Sequence, residues 1–122
     1  MATHASIATL NYDGTVSVSY CHYDGFTDRL GRILKEHFNT QSEVITLIRS
    51  GPIVGIEPEG DHVEIEFDDD AIDSMRSLGQ CLCTHCEDFQ HYLDIYCVQE
   101  YNYIFVDGKW TVAGSNRQFS KF

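Results

Sequence analysis

Three short turn sequences, Asn11-Tyr12-Asp13-Gly14, Glu57-Pro58-Glu59-Gly60-Asp61 and Asp107-Gly108, each stand between two runs of alternating apolar and polar residues. A short turn between alternating runs folds the chain back on itself as an antiparallel hairpin. The first predicted pair spans Thr3 to Leu10 and Thr15 to Tyr23. In its second strand Val16, Val18, Tyr20 and His22 share one face, and Ser17, Ser19 and Cys21 point the other way. The middle pair lies between Ile53 and Phe67, where Val63, Ile65 and Phe67 alternate with Glu64, Glu66 and Asp68. One face is apolar and the other is acid. In the last pair Tyr101, Tyr103 and Phe105 lead into Asp107-Gly108, and Trp110 and Val112 return.

Helical spacing fills the gaps between these pairs. Thr27 offers an N-cap for a helix from about Asp28 to Phe38, with Leu30, Ile33 and Leu34 on one side and Arg29, Arg32, Lys35 and Glu36 on the other. Thr40 and Glu43 have capping-box spacing ahead of the stripe Val44, Ile45, Ile48, and Gly51-Pro52 stops that helix. Asp70 is positioned to cap a short helix ending at Leu78-Gly79. Thr84 with Glu87 makes a second capping box before Phe89, Tyr92, Leu93, Tyr96 and Cys97. Hairpins plus two helical blocks predict an α+β fold. We expect a single domain over residues 1–114, with an antiparallel sheet of five or six strands, helices on one face and no parallel βαβ winding. Residues 115–122 are polar and lightly basic and are expected to form a flexible tail. At 122 residues the chain has room for one core rather than two.

Eight basic against 19 acidic residues give a net charge of −11, which opposes direct binding to nucleic acid or to an anionic membrane. A protein partner with a basic surface is favoured instead, and self-association is compatible with the sequence. The start lacks a basic n-region, and no apolar run approaches the about 20 residues of a membrane span. A cytoplasmic location is the expectation.

Nine of the 19 acids fall between Glu57 and Asp73, and no Lys or Arg occurs from Ser50 to Met75. Same-face strand residues are about 6.6–6.8 Å apart, close to the spacing of successive nucleic-acid phosphates. Glu64, Glu66 and Asp68, with Asp69 and Asp70, can therefore offer a phosphate-like row to a basic groove, each carboxylate pairing with Arg or Lys. The alternatives are a solvated outer face that protects a sheet edge, or a divalent-metal site at Asp68-Asp69-Asp70 without EF-hand spacing.

The five cysteines are odd in number, so they cannot all pair within one chain, and reduced thiols are expected. Cys81, Cys83, His85 and Cys86 contain enough soft ligands to be a zinc candidate, but they lack the two paired knuckles of a structural site. Neither a metal nor another cofactor is assigned. Cys21-His22-Tyr23-Asp24-Gly25 gathers a thiol, a base and a carboxylate, yet neighbouring strand residues point to opposite faces. The segment is read as a partly buried histidine beside a turn, and no enzymatic activity is assigned.

Tyr20-Cys21-His22-Tyr23-Asp24-Gly25-Phe26, Leu30-Gly31, Leu34, His37-Phe38-Asn39-Thr40, Val44, Leu47-Ile48 and Gly51, with the closing run Tyr101 to Trp110, resemble a family of small accessory proteins of bacteriophages and bacterial mobile elements. Members typically read Tyr-Cys-His-Trp-Asp-Gly-Tyr at the first motif and end on an aromatic strand before Asp-Gly-Lys-Trp. Here Tyr23 stands where Trp is usual and Thr27 where Pro is usual, and the acidic middle from Glu57 to Cys97 has no counterpart. The resemblance implies a phage or mobile-element origin and assigns no chemistry. Combined with the acidic segment, it predicts an acidic nucleic-acid mimic that inhibits a host nucleic-acid-binding protein, in host takeover or anti-defence. The competing expectation is a sponge for a nucleotide signal of host defence, with an aromatic pocket at His22, Tyr103, Phe105 and Trp110 and with Arg29 or Arg32 on phosphate.

Overall fold

The computed structural model describes residues 3–122. Strands β1 (Ala5–Leu10) and β2 (Val16–Cys21) form the first hairpin, and a π-helical turn (Thr27–Gly31) then leads into α1 (Arg32–His37) and α2 (Gln41–Arg49). The second hairpin is β3 (Ile53–Glu59) and β4 (His62–Phe67). After it come α3 (Asp69–Ser77), β5 (Thr84–Cys86), α4 (Phe89–Ile95) and the last hairpin, β6 (Tyr101–Val106) and β7 (Lys109–Ala113). All three predicted hairpins are present. In the last, Asp107 (φ 51°) and Gly108 (φ 76°) both occupy the left-handed region that a tight two-residue turn requires.

The sheet runs β4-β3-β2-β1-β6-β7, with β5 also paired to β2. The fold is α+β and most pairings are antiparallel. Two are parallel, β1 with β6 and β2 with β3. Hairpin signals specify only strands adjacent in sequence, and the π-helical turn with α1 and α2 forms a crossover that returns β3 parallel to β2. The three-residue β5 lies where the sequence predicted the approach to a helix. Thr84 belongs to this strand, and α4 is capped instead by Asp88, whose Oδ1 accepts from His91 N at 2.8 Å. Similarly α3 begins at Asp68, which accepts from Ala71 N at 3.1 Å, rather than at Asp70. The Thr40 half of the predicted capping box forms, Thr40 Oγ1 accepting from Glu43 N at 3.2 Å, while Glu43 Oε1 reaches one residue further back and accepts from Asn39 N at 3.3 Å. Thr27 caps nothing; Phe26 precedes the π-helical turn, and Gly31 N donates to Phe26 O.

Both faces of the central strands are buried. Ile7, Cys21, Tyr103, Phe105, Trp110 and Val112 pack with Leu30, Leu34, Val44 and Ile48 of the first helical layer, while Ala8, Val16, Val18, Ile104 and Ala113 pack with Tyr92 of α4, Cys86 and Cys97. This explains why Tyr103-Ile104-Phe105 is apolar without alternation. Buried polar groups in these strands are paired, Ser6 donating to Asn102 Oδ1 and Asn102 Nδ2 donating to Gln99 O and Ala113 O.

The stretch expected to be a flexible tail runs back along β7. Val112 and Ser120 exchange both backbone hydrogen bonds, Phe119 packs on the second core, and Phe122 packs on the first. Among the described residues no helix is long and apolar enough to cross a membrane.

Candidate functional site

The β3–β4 hairpin is attached to the rest of the sheet at its base only. β3 pairs with β2 at a single register position, Cys21 with Ile53, and β5 takes the opposite end of the same β2 edge at Val16 to Val18. A register shift between Ile53 and Gly55 marks a bulge immediately beyond that contact, the device that bends a strand away from its neighbours. Beyond the bulge the hairpin is a two-stranded ribbon that pairs with no other strand, and residues 57–62 at its end are exposed.

Its inner face holds the ribbon to the core through buried Ile56 with Val63, Ile65 and Phe67, while Pro58, opposite Val63, is exposed. Its other face is built from cross-strand pairs of Glu57 with Glu64 and Glu59 with His62, and Glu66 lies opposite Gly55. Glu57, Glu59, Glu64 and Glu66 are all exposed, and like charges directly opposite each other oppose strand pairing. Local partners hold part of this charge. Arg29 Nη2 donates to Glu57 Oε1 at 3.1 Å, and His62 Nε2 lies 3.2 Å from Glu64 Oε1.

Of the five acids predicted as contacts, Glu64 and Glu66 lie on this face, and Asp69 and Asp70 are exposed in the first turn of α3, where carboxylates favour the helix dipole. Asp68 is half-buried and serves as the α3 N-cap, so its carboxylate has a folding role. Sequence reasoning missed Glu57 and Glu59 as members of the same face. The β-period of Ile56-Glu57-Pro58-Glu59 carried the signal, once the hairpin partner was fixed.

The six residues predicted to form a ligand pocket do not converge. Tyr103 and Phe105 are core residues at 0% and 1% exposure; the Tyr103 hydroxyl donates to Gly25 O at 2.7 Å. Trp110 Nε1 donates to Phe38 O at 2.7 Å, Arg29 is held by Glu57, and Arg32 pairs with Glu36 at 3.2 Å. His22 stands apart, its Nδ1 3.0 Å from the Tyr20 hydroxyl, which also bonds His4 Nδ1. A different set of cations gathers beside Trp110: Lys35, Lys109 and Lys121 line a hollow of about 340 Å³ with Trp110 and Phe122, at the sheet end opposite the acidic ribbon.

The cysteines spread across the fold. Cys81 is exposed, Cys83 is half-buried, and Cys21, Cys86 and Cys97 are buried and unpaired. Among the described residues no group of three or more His, Cys, Asp or Glu side chains is arranged to hold a metal ion, at the Cys81–Cys86 cluster or at Asp68–Asp70. Burial pushes the Cys21 thiol up to about 12 and the Cys86 thiol up to about 11, with Asp88 adding to the latter. Both are thiols at neutral pH, the opposite of what a nucleophile needs. Cys21 Sγ is turned to Tyr23 O at 3.3 Å rather than to His22.

No protein-family model matches the chain, and no match was found among curated proteins or solved structures.

Proposed function

We propose that this chain is an acidic accessory protein, of phage or mobile-element origin, that acts in the host cytoplasm by binding and inhibiting a host protein whose natural ligand is nucleic acid. The observation that carries the reading is the ribbon's exposed face, which Glu57, Glu59, Glu64 and Glu66 share with no Lys or Arg between Ser50 and Met75. A fold optimised only for stability gains by placing a cation opposite Glu57; this one places Glu64 there. Carboxylates spaced by the strand repeat suit a groove lined with Arg and Lys, and the net charge of −11 speeds encounter with it. Asp69 and Asp70, exposed in the first turn of α3, add negative charge just after the ribbon in the chain, and Asp68 adds charge while holding the α3 N-terminus. The reading assigns no catalytic step.

The test is affinity capture from bacterial lysate at low and high salt, with the wild type and with a variant carrying Glu57, Glu59, Glu64 and Glu66 as glutamines. A nucleic-acid-binding protein held at low salt, and lost both in high salt and in the variant, supports the reading. Equal capture by the variant contradicts it.

A second reading, sequestration of a nucleotide signal, is favoured by the hollow at Trp110, where three lysines surround an aromatic floor. Arg32 lines an adjoining hollow with Lys35 and Phe122. Retention of a nucleotide through purification, abolished by Lys109→Ala, distinguishes it from the first.

A further inference from the structure

A hollow of about 630 Å³ belongs to neither reading. It opens where the β1–β2 turn, the α1–α2 connection and the β6–β7 turn meet, and no residue of β3, β4 or α3 contributes to it. It shares Asn39 and Gly108 with the lysine-lined hollow, yet no Lys or Arg lines it. Its polar side chains are the amides of Asn11, Asn39 and Gln41, the hydroxyls of Thr40 and Tyr12, and the carboxylate of Asp107.

Two of those amides are fixed from behind. Thr9 is fully buried, and its single hydroxyl proton is shared between Gln41 Oε1 and Phe105 O, each 3.0 Å away, so Gln41 is held at its carbonyl and keeps Nε2 to donate. Asn11 Nδ2 donates to Thr15 Oγ1 and Ser17 Oγ, each at 3.1 Å, leaving Asn11 Oδ1 as an acceptor. Among the described residues the Asn39 side chain and the Asp107 carboxylate make no hydrogen bond, and both are exposed. The apolar part of the lining includes Phe105 and Tyr12. Tyr12 is 95% exposed, an aromatic ring presented to solvent at the rim.

Preset donors and acceptors without a cation, beside an open aromatic face, match a ligand that is uncharged, rich in hydroxyl groups and apolar on one face. We propose that this hollow binds a neutral saccharide, with Tyr12 stacked on the C–H face of a sugar ring and Asn11, Asn39, Gln41 and Asp107 hydrogen-bonding its hydroxyls. Anchoring Asn11 and Gln41 in advance lowers the ordering cost of binding. The site is independent of the acidic ribbon, so failure of either proposal leaves the other standing.

The test screens the full chain against an array of neutral oligosaccharides and follows the tightest binder by amide chemical-shift mapping and titration. Expected are shifts confined to the three converging loops and an affinity about tenfold weaker, or more, in Tyr12→Ala and in Asn39→Ala. Both side chains are exposed, so the variants retain the fold, which their unchanged spectra elsewhere verify. The glutamine-substituted ribbon variant binds the sugar as well as the wild type. Absence of binding across the array, or shifts that map away from these loops, overturns the proposal. So does binding that both variants leave unchanged.

Discussion

Glu57 and Glu64 stand directly opposite each other across the β3–β4 ribbon, both exposed, with Arg29 bonded to the first and His62 to the second. Pairing of this kind costs stability, and its size is measurable. Glu64→Lys converts a repulsive cross-strand pair into an attractive one and is expected to stabilise the fold by about 0.2–1 kcal/mol in chemical denaturation. The same substitution weakens capture of the basic partner. Added salt narrows the stability difference between the two proteins, because both pairs are exposed and screened. A Glu64→Lys protein less stable than the wild type contradicts the description of this pair.

Gly25 is a point of close approach. A Cβ there lies 2.7 Å from Ala5 Cβ and 2.8 Å from Thr3 O, and its own carbonyl accepts from the buried Tyr103 hydroxyl. Gly25→Ala therefore forces β1 away from the Asp24-Gly25 turn and is expected to cost about 1–3 kcal/mol, read as a lower denaturation midpoint. Tyr103→Phe leaves the Gly25 carbonyl unpaired and costs about 1–3 kcal/mol.

Stability is expected to fall in alkali. Burial raises the Cys21 thiol from its ordinary 9.0 to about 12 and the Cys86 thiol to about 11, and it raises the Tyr92 and Tyr103 phenols as well. Each group holds its proton more tightly folded than unfolded. The associated stability is thus complete below about pH 9 and is lost as pH rises toward the folded values. Melting temperatures taken from pH 7 to 11 should fall above pH 9, and Cys21→Ala should flatten the decline.

The thiols should also separate by access. Cys81 is exposed and is expected to react with a maleimide in the native protein, whereas Cys21, Cys86 and Cys97 are buried and react on unfolding. Mass spectrometry after brief labelling reads this directly. Native labelling of Cys21 at the rate of Cys81 contradicts the packing described.

Local signals were the most legible part of the sequence. The first and last turns and the Thr40 cap of α2 each depend on residues within a few positions and form where they were read, whereas the middle turn narrows to Gly60-Asp61 because Glu57-Pro58-Glu59 extends β3. Long-range placement was not legible. Nothing local in Ala5–Leu10 states that β1 lies parallel to β6 across some 90 intervening residues, nor that β5 takes half of the β2 edge. Cys86 and Thr84 read as helix-approach residues because a three-residue strand has too little period to register. The acidic face was partly visible: alternation identified Glu64 and Glu66, while Glu57 and Glu59 joined them only through the hairpin register. Tyr103, Phe105 and Trp110 read as a pocket because aromatic residues serve cores and binding sites alike, and their burial assigns them to the core.

The central claim is that the ribbon occupies a nucleic-acid site on its partner, and competition tests it most directly. The host protein captured at low salt is mixed with its own DNA or RNA ligand, labelled, and titrated with this chain. The account predicts that the labelled nucleic acid is displaced one for one, and that the variant with Glu57, Glu59, Glu64 and Glu66 as glutamines fails to displace it. A ternary complex in which the partner holds nucleic acid and this chain together, with undiminished affinity for both, contradicts the account.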